Sequence, residues 1–185
     1  QVLFADQGIK ATSLRAIARA AGVHQPSLHY HFRDKEELFQ AVLELRVVPL
    51  YRARIAALDA LEASGRGDDL EGIVSAAQRP IIEAWSDPIA PGVSVVHLIY
   101  RGIIDADPEW RSFGEETAGP SRERFVAAFA RALPDLDRDE LLARLSFMQG
   151  AIAGLYLDRT DDEMTRSWSD LHDDLDAFEA RMITM

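Results

Sequence analysis

The chain has 185 residues, 48% of them hydrophobic and 28% charged, with 20 basic and 31 acidic side chains and a net charge of −11. This composition is typical of a folded globular protein of one or two domains and excludes a largely disordered chain. Cysteine is absent, which excludes disulfides, thiolate-bound zinc, iron–sulfur clusters and thiol catalysis.

The first segments predict short helices that end at glycines. Residues 2–7 have the pattern of a helix that closes at Gly8, since glycine commonly follows a helix C-terminus. Thr12 or Ser13 then caps a second helix, in which apolar residues recur at helical spacing as far as Gly22. Two helices are therefore expected before residue 22.

A short third helix and a longer fourth helix follow. Pro26 suits the first turn of a helix, where its missing N–H has no intrahelical partner, and this helix extends to about Phe32. Asp34 followed by Glu37 is a capping pattern that opens the fourth helix, and Pro49 is expected to kink or split it. The apolar positions of the fourth helix are Leu38, Val42 and Leu45.

The rest of the chain predicts helices as well, after a loop at residues 64–68. No run of residues alternates between apolar and polar in the way that a half-buried strand does. The helices are expected at 70–85, 92–104, 115–133, 138–157 and 162–182. The sequence therefore predicts an all-α fold.

The charge is distributed unevenly along the chain. Residues 1–45, called the head below, carry equal numbers of basic and acidic side chains, whereas residues 46–185, the body, carry 15 basic and 26 acidic ones. The acidic total therefore does not argue against nucleic-acid binding by the head. No apolar run is long enough to cross a membrane and no signal-peptide pattern opens the chain, so we expect a cytoplasmic protein.

The strongest pattern in the head predicts a helix-turn-helix. Two helices that cross steeply need a small residue where their backbones approach, a residue that tolerates positive φ in the turn, and apolar residues that fill the core. Ala18 provides the small contact, Gly22 the turn and Val23 an apolar plug, and Ile17 and Leu28 complete the core. Short Ala- and Gly-rich helix pairs also occur in proteins that bind no DNA, and this alternative stays open.

The second helix of such a pair enters the major groove and presents its early residues to the bases. Glutamine pairs with adenine, serine with several bases, and proline contacts a thymine methyl group. The residues available here are Gln25, Pro26, Ser27, His29, Tyr30 and His31. Thr12, Arg15 and Lys35 lie at helix starts or on flanking faces, where they are expected to hold phosphate oxygens.

Residues 12–38, TSLRAIARAAGVHQPSLHYHFRDKEEL, resemble the DNA-binding segment of the TetR family of bacterial transcriptional repressors. The resemblance implies a three-helix DNA-binding domain at 1–45 and a larger helical ligand-binding and dimerisation domain at 46–185. It implies DNA contacts from Thr12, Arg15, Gln25, Pro26, Ser27, His29, Tyr30 and Lys35. The implied function is repression that a small, mostly apolar molecule relieves by releasing the protein from a palindromic operator on double-stranded DNA. The first helix is shorter than that of the family, so either residues precede Gln1 or the head has less support than is usual in the family.

The last two predicted helices carry apolar residues in steps of three and four, which is the spacing of helices that pack on helices. The two sets are Leu141, Leu145, Met148, Ile152 and Leu155, and Met164, Trp168, Leu171, Leu175, Phe178 and Met182. We expect a homodimer through these two helices, as the family resemblance also implies. The alternative is that both sets face the core of their own chain.

Several bulky or polar residues within apolar helices are candidates for an effector pocket, because ligand sites are mostly apolar with a few directed polar groups. These are Trp85, His97, Tyr100, Arg101, Trp110, Phe113, Phe147 and Gln149. Arg101 is the candidate partner of an anionic group. A faint resemblance of residues 133–154 to fatty-acid-responsive members of the family suggests an acyl effector, and an aromatic one is the other option. Ordinary core packing explains the aromatic residues equally well.

Other classes of function find less support. His29 and His31 do not share a helix face, so no metal site is expected, nor any cofactor. No arrangement of nucleophile, base and orienting group is visible, so we do not expect an enzyme. The remaining alternative is a helical interaction module whose head binds a protein instead of DNA.

Overall fold

The computed structural model of the protein describes residues 1–84, 95–105 and 108–157, and every element within these ranges is helical. The helices are α1 (Val2–Ala11), α2 (Leu14–Ala21), α3 (Gln25–His31), α4 (Lys35–Arg46), α5 (Val48–Ala63), α6 (Leu70–Glu83), α7 (Val95–Asp105), α8 (Pro108–Phe113), α9 (Gly119–Ala132) and α10 (Arg138–Leu157), with a π-helical turn at Gly114–Ala118. The all-α expectation is confirmed. Within the described helices, none combines the length and the hydrophobicity needed to cross a bilayer.

The caps of the head helices agree with the local sequence signals. Ser13, not Thr12, caps α2 by accepting a hydrogen bond from the Ala16 N–H at 3.1 Å. Asp34 caps α4 by accepting the Glu37 N–H at 2.8 Å. This backbone hydrogen bond, together with the neighbouring Arg33 guanidinium, holds the pKa of Asp34 below its usual value.

The helix that was expected to run past residue 45 is split in two. α4 ends at Arg46 and α5 begins at Val48, with Pro49 in the first turn of α5, where its missing N–H costs no hydrogen bond. Leu45 is 72% exposed, so its assignment to the apolar face of α4 was wrong, whereas Leu43 is fully buried. The buried face of α4 is set by the helices that pack on it, and Leu43 is the leucine that lies on that face.

The region expected as one helix from residue 115 to 133 begins earlier and is interrupted. α8 starts at Pro108, and a π-helical turn joins it to α9. In that turn the Gly119 N–H donates to the carbonyl of Gly114, five residues earlier. Pro120 follows at once and has no N–H to donate, so the regular α-helical ladder resumes only beyond it.

One hydrophobic cluster joins the head to the body, and we call it the shared core. Phe4 of α1 meets Phe39 of α4 edge to face at a centroid distance of 5.0 Å. Gly102 of α7 packs directly on the indole of Trp110, and a side chain at residue 102 would collide with that ring. The buried members are Phe4, Ala5, Ile9, Phe39, Leu43, Val47, Leu50, Ile81, Val95, Val96, Leu98, Ile99, Tyr100, Trp110 and Phe113.

A second cluster lies farther from the head, among α5, α6, α9 and α10. Its buried members are Leu58, Ile73, Val74, Ala76, Ala77, Phe125, Val126, Ala128, Phe129 and Leu141. Helix α5 contributes to both clusters, since Leu50 belongs to the shared core and Leu58 to the second one. α5 therefore links the part of the body that contacts the head to the part that does not.

We predict that Leu43→Ala lowers the free energy of unfolding by about 3 kcal/mol, because it leaves a cavity in the shared core. Leu45→Ala is the matched control on the same helix and is expected to change stability by less than about 0.5 kcal/mol, since Leu45 is exposed. Urea unfolding followed by circular dichroism measures both values. Equal losses for the two variants would contradict the placement of α4.

Candidate nucleic-acid interface and ligand-binding region

The turn between α2 and α3 is a Schellman motif closed by Gly22. Gly22 lies in the left-handed region at φ 67° and ψ 24°, and its N–H donates to the carbonyl of Arg19. The Val23 N–H donates to the carbonyl of Ala18 at 3.0 Å, which completes the motif. Ala18 is 3% exposed where the two helices meet. The predicted small contact and the predicted glycine turn are thus both present.

The expectation for Val23 was wrong, because this side chain is 45% exposed and does not plug the core. Its N–H completes the Schellman turn, so Val23 contributes to the turn through its backbone while its side chain stays largely exposed. Leu28 is half-buried, and Ile17 is half-buried against the shared core. Helix α3 is therefore attached to the head through Leu28 and the turn.

Helix α3 presents almost all of its surface to solvent. None of its seven residues is buried, and Tyr30 is 86% exposed. Gln25, Pro26, Ser27, His29 and His31 are exposed as well. The Gln25 Nε2 lies 3.3 Å from the His29 Nε2, and the ring of Tyr30 meets that of His31 edge to face. The side chains expected to contact bases are thus gathered on one short exposed helix.

The three residues expected to hold phosphates are placed differently from one another. Arg15 is exposed on α2, and Lys35 is partly exposed in the first turn of α4. Thr12 requires a correction, since it is only 2% exposed and its hydroxyl donates to the carbonyl of Gly8 at 2.7 Å. Gly8 interrupts α1 at φ 74°, and the Thr12 hydroxyl satisfies the carbonyl at that kink. Thr12 therefore supports α1 and does not lie on the outer face.

The residues expected to form an effector pocket do not converge on one cavity. Tyr100 and Trp110 are buried in the shared core. The Arg101 Nε donates to the Asp105 Oδ2 at 2.8 Å beside Gly8 of α1, so its carboxylate partner belongs to the chain itself. His97 is half-buried on α7, and Phe147 is 77% exposed on α10. Trp85 lies outside the described residues.

A cleft of about 870 Å³ lies beside α4, α5 and α9 and was not expected from the sequence. Its walls include Val48, Tyr51 and Ile55 of α5, Phe113 of α8 and Ser121 of α9. This volume is within the range of small-molecule sites, which combine apolar walls with a few polar groups. The body thus contains a cavity of suitable size, and Phe113 is the one predicted pocket residue among the described residues that line it.

Arg54 of α5, whose neighbour Tyr51 lines this cleft, is a buried cation that was not expected from the sequence. It is 8% exposed, and its guanidinium carbon lies 4.8 Å from the centre of the Phe125 ring and 5.7 Å from that of Tyr51. Burial lowers the pKa of Arg54, yet a guanidinium stays charged at neutral pH. The sequence contained a signal for this burial, since Leu50, Arg54 and Leu58 are spaced by four and therefore share one face of a helix. The structure buries both leucines on that face.

Two family models match the chain. The model described as bacterial regulatory proteins, tetR family, covers residues 2–42, and the model described as tetracyclin repressor-like, C-terminal domain, covers residues 75–185.

Curated relatives align mainly through the head. The HTH-type transcriptional regulator AcrR of Shigella flexneri is 49% identical over 43 residues, which is 23% of this chain and 20% of AcrR. The HTH-type transcriptional repressor KstR2 of Mycolicibacterium smegmatis is 49% identical over 41 residues, 22% of this chain and 20% of KstR2. The HTH-type transcriptional regulator SrpR of Pseudomonas putida is 34% identical over 104 residues, 56% of this chain and 44% of SrpR. The chain thus spans about a fifth of the first two relatives and less than half of the third.

We predict that Gly22→Val destabilises the chain by about 1–2 kcal/mol, because a side chain with a Cβ is strained at positive φ. A Cβ at this position meets no neighbouring atom, so the penalty comes from the backbone alone. Gly22→Asn is the matched control and is expected to cost less, since asparagine tolerates the left-handed region. Thermal unfolding of both variants measures the difference. If asparagine cost as much as valine, a left-handed turn at residue 22 would be contradicted.

Proposed function

Since the chain belongs to the tetR family of bacterial regulatory proteins, we propose that it is a homodimeric transcriptional repressor, released from a palindromic operator when a small molecule binds the body. The observation that carries this proposal is the outward display of α3, a helix with polar and aromatic side chains and no buried residue. A helix that serves only the core would bury part of its surface. α3 instead has the features of a recognition helix.

Base contacts are proposed for the exposed side chains of α3. Gln25 has the amide geometry that pairs with adenine, Ser27 pairs with several bases, and Pro26 offers apolar contact to a thymine methyl group. His29 and Tyr30 extend the same surface over the next turn. Arg15 and Lys35 flank α3 and are proposed to hold phosphates, which sets the register of the helix in the groove.

A palindromic operator requires two copies of the recognition helix, and α10 supports a dimer. One side of α10 packs inside the chain through Leu141, Leu145 and Met148, which favours the intramolecular alternative for these three residues. Phe147 projects elsewhere and is 77% exposed. We propose that the side of α10 around Phe147 meets a second copy. Of the other residues expected in this interface, Ile152 and Leu155 belong to the end of α10, whose side chains are not described, and those from Met164 to Met182 lie outside the described part of the chain.

The shared core suggests how a ligand in the body would affect the head. α7 packs on α1, and the Arg101–Asp105 pair lies against Gly8 at the kink of α1. A shift of α7 would therefore move α1 and the recognition helix attached to it. A ligand produces such a change only if it binds one arrangement more tightly than the other. We propose that the effector favours an arrangement in which the two α3 helices no longer fit successive major grooves.

We predict that replacing both Gln25 and Tyr30 by Ala weakens operator binding about tenfold or more, because base contacts are lost from α3. The measurement is fluorescence anisotropy with DNA from the region upstream of the gene, at several salt concentrations. Gln7→Ala, an exposed glutamine of α1, is the control and is expected to bind normally. If the unsubstituted protein bound no DNA while its fold and dimer were intact, the protein-interaction alternative would replace this proposal.

We predict that Phe147→Lys raises the dimer dissociation constant about tenfold or more, because it places a charge in an apolar interface. Leu45→Lys is the matched control, since Leu45 is also a large exposed apolar residue but lies on α4. Sedimentation velocity over a range of protein concentrations measures both. A Phe147→Lys protein that stays as dimeric as the control would exclude this face of α10.

A further inference from the structure

We propose, building on the proposed ligand response, that Arg54 is the anion-binding residue of the effector site and that the effector is an apolar molecule with a single carboxylate. The carboxylate would pair with the buried guanidinium of Arg54 and accept a hydrogen bond from the Ser121 hydroxyl. The apolar portion would lie in the cleft beside α5 and α9. Nothing in the sequence patterns assigned a role to either residue.

The surroundings of Arg54 leave its charge uncompensated among the described residues. Its Nε is buried without a hydrogen-bond partner in this part of the chain, and its close neighbours are the rings of Tyr51 and Phe125. Aromatic faces attract a cation but supply no hydrogen-bond acceptor in the plane of the guanidinium. A buried charge is normally both paired and hydrogen-bonded, so Arg54 has the features of half of an ion pair.

The acidic residues near Arg54 on α5 are engaged by other arginines. Arg124 of α9 binds Asp59 at 2.7 Å and Glu62 at 2.9 Å, and Arg131 binds Glu62 as well. These contacts engage both carboxylates at partly exposed positions between α5 and α9. The anion that Arg54 lacks is therefore not supplied by its own helix.

The tyrosines around Arg54 do not neutralise it either. Burial raises the pKa of Tyr51 and also that of Tyr100, whose electrostatic interactions include Arg54. Both phenols are therefore neutral at physiological pH and contribute no negative charge. The rings that contact the cation are those of Tyr51 and Phe125.

Ser121 provides a second, independent observation at the same place. It is 4% exposed, and its hydroxyl is buried without a hydrogen-bond partner among the described residues. Ser121 lies one helical turn before Phe125 on α9, so the two residues share the face that α9 turns towards Arg54. The Arg54 Nε and the Ser121 hydroxyl are both buried without a hydrogen-bond partner among the described residues, and a carboxylate would satisfy the two together.

The cleft reaches Ser121 directly and Arg54 through its neighbour Tyr51. Tyr51 contacts Arg54 with its ring and also lines the cleft, and Ser121 lines the same cleft. The lining combines apolar side chains, including Val48, Ile55 and Phe113, with charged ones, including Glu44, Asp59 and Glu116. A carboxylate bound at Arg54 thus leaves room for an apolar group in the cleft. Arg101, the cation expected from the sequence, is less suited to this role because Asp105 already pairs with it.

The test compares 4-phenylbutyrate with its neutral analogue 4-phenylbutyramide on the whole protein and on Arg54→Met. Isothermal titration calorimetry gives the affinities, and thermal unfolding gives the melting temperature with and without each probe. Arg144→Met is the matched control, because Arg144 is an exposed arginine of α10 that pairs with Glu140.

We expect 4-phenylbutyrate to bind the unsubstituted protein and Arg144→Met, and to raise Tm by about 3 °C or more when present at ten times its dissociation constant. The amide should bind about tenfold more weakly, and Arg54→Met should bind the acid and the amide equally. Without ligand, Arg54→Met should keep or raise Tm, since it removes an unpaired buried charge.

Equal binding of acid and amide to the unsubstituted protein would overturn the proposal, as would an Arg54→Met protein that still prefers the acid. A lowered Tm of ligand-free Arg54→Met with unchanged acid binding would assign Arg54 a purely structural role. Operator binding is measured separately. Its loss would refute the proposed function, whereas the preference for a carboxylate is judged from the titrations alone.

Discussion

The packing of α1 on α7 is the constraint on which the rest of the structure depends. Residues 1–45 are too few to bury a large core by themselves, and α1 and α4 instead share one hydrophobic cluster with α5 to α8. Phe4 and Ile9 lie in the same cluster as Val96 and Trp110, so head and body are joined through side-chain packing as well as through the chain. Any displacement of α7 must be accommodated by α1, because close-packed side chains transmit strain.

That anchoring lets α3 remain exposed. A seven-residue helix without a buried residue has little intrinsic stability, since helices of this length depend on tertiary contacts. Here its position comes from the Schellman turn at Gly22, from the half-buried Leu28, and from α2 and α4 on either side with their own capping residues. Local contacts within the head thus hold the polar surface of α3 outward. The head in turn packs on the body through the shared core.

The charged groups of the body fall into two classes. Most are on the surface in pairs, such as Arg101 with Asp105 and Arg124 with Asp59, and exposed pairs of this kind contribute little to stability. Arg54 is of the other class, since it is enclosed by aromatic rings and has no acidic partner among the described residues. The energetic cost of a buried charge without an acidic partner persists in proteins mainly where function requires it. For this reason Arg54, and not the more conspicuous aromatic residues, is the centre of the proposed effector site.

Local chemistry determined what could be predicted from the sequence. The Ser13 and Asp34 caps, the turn at Gly22, the helix start at Pro26 and the start of α10 all depend on residues within a few positions of one another, so the sequence alone specified them. Which side of each helix is buried depended instead on packing between distant segments. Thr12 is therefore buried although an exposed side chain was expected, and Val23 is exposed although a buried one was expected. Leu45 and Phe147 are exposed, and Arg54 is enclosed. Periodicity shows that a helix has an apolar face, but only the neighbouring helices decide which polar side chain is buried with it, because burial is a property of the assembled tertiary structure.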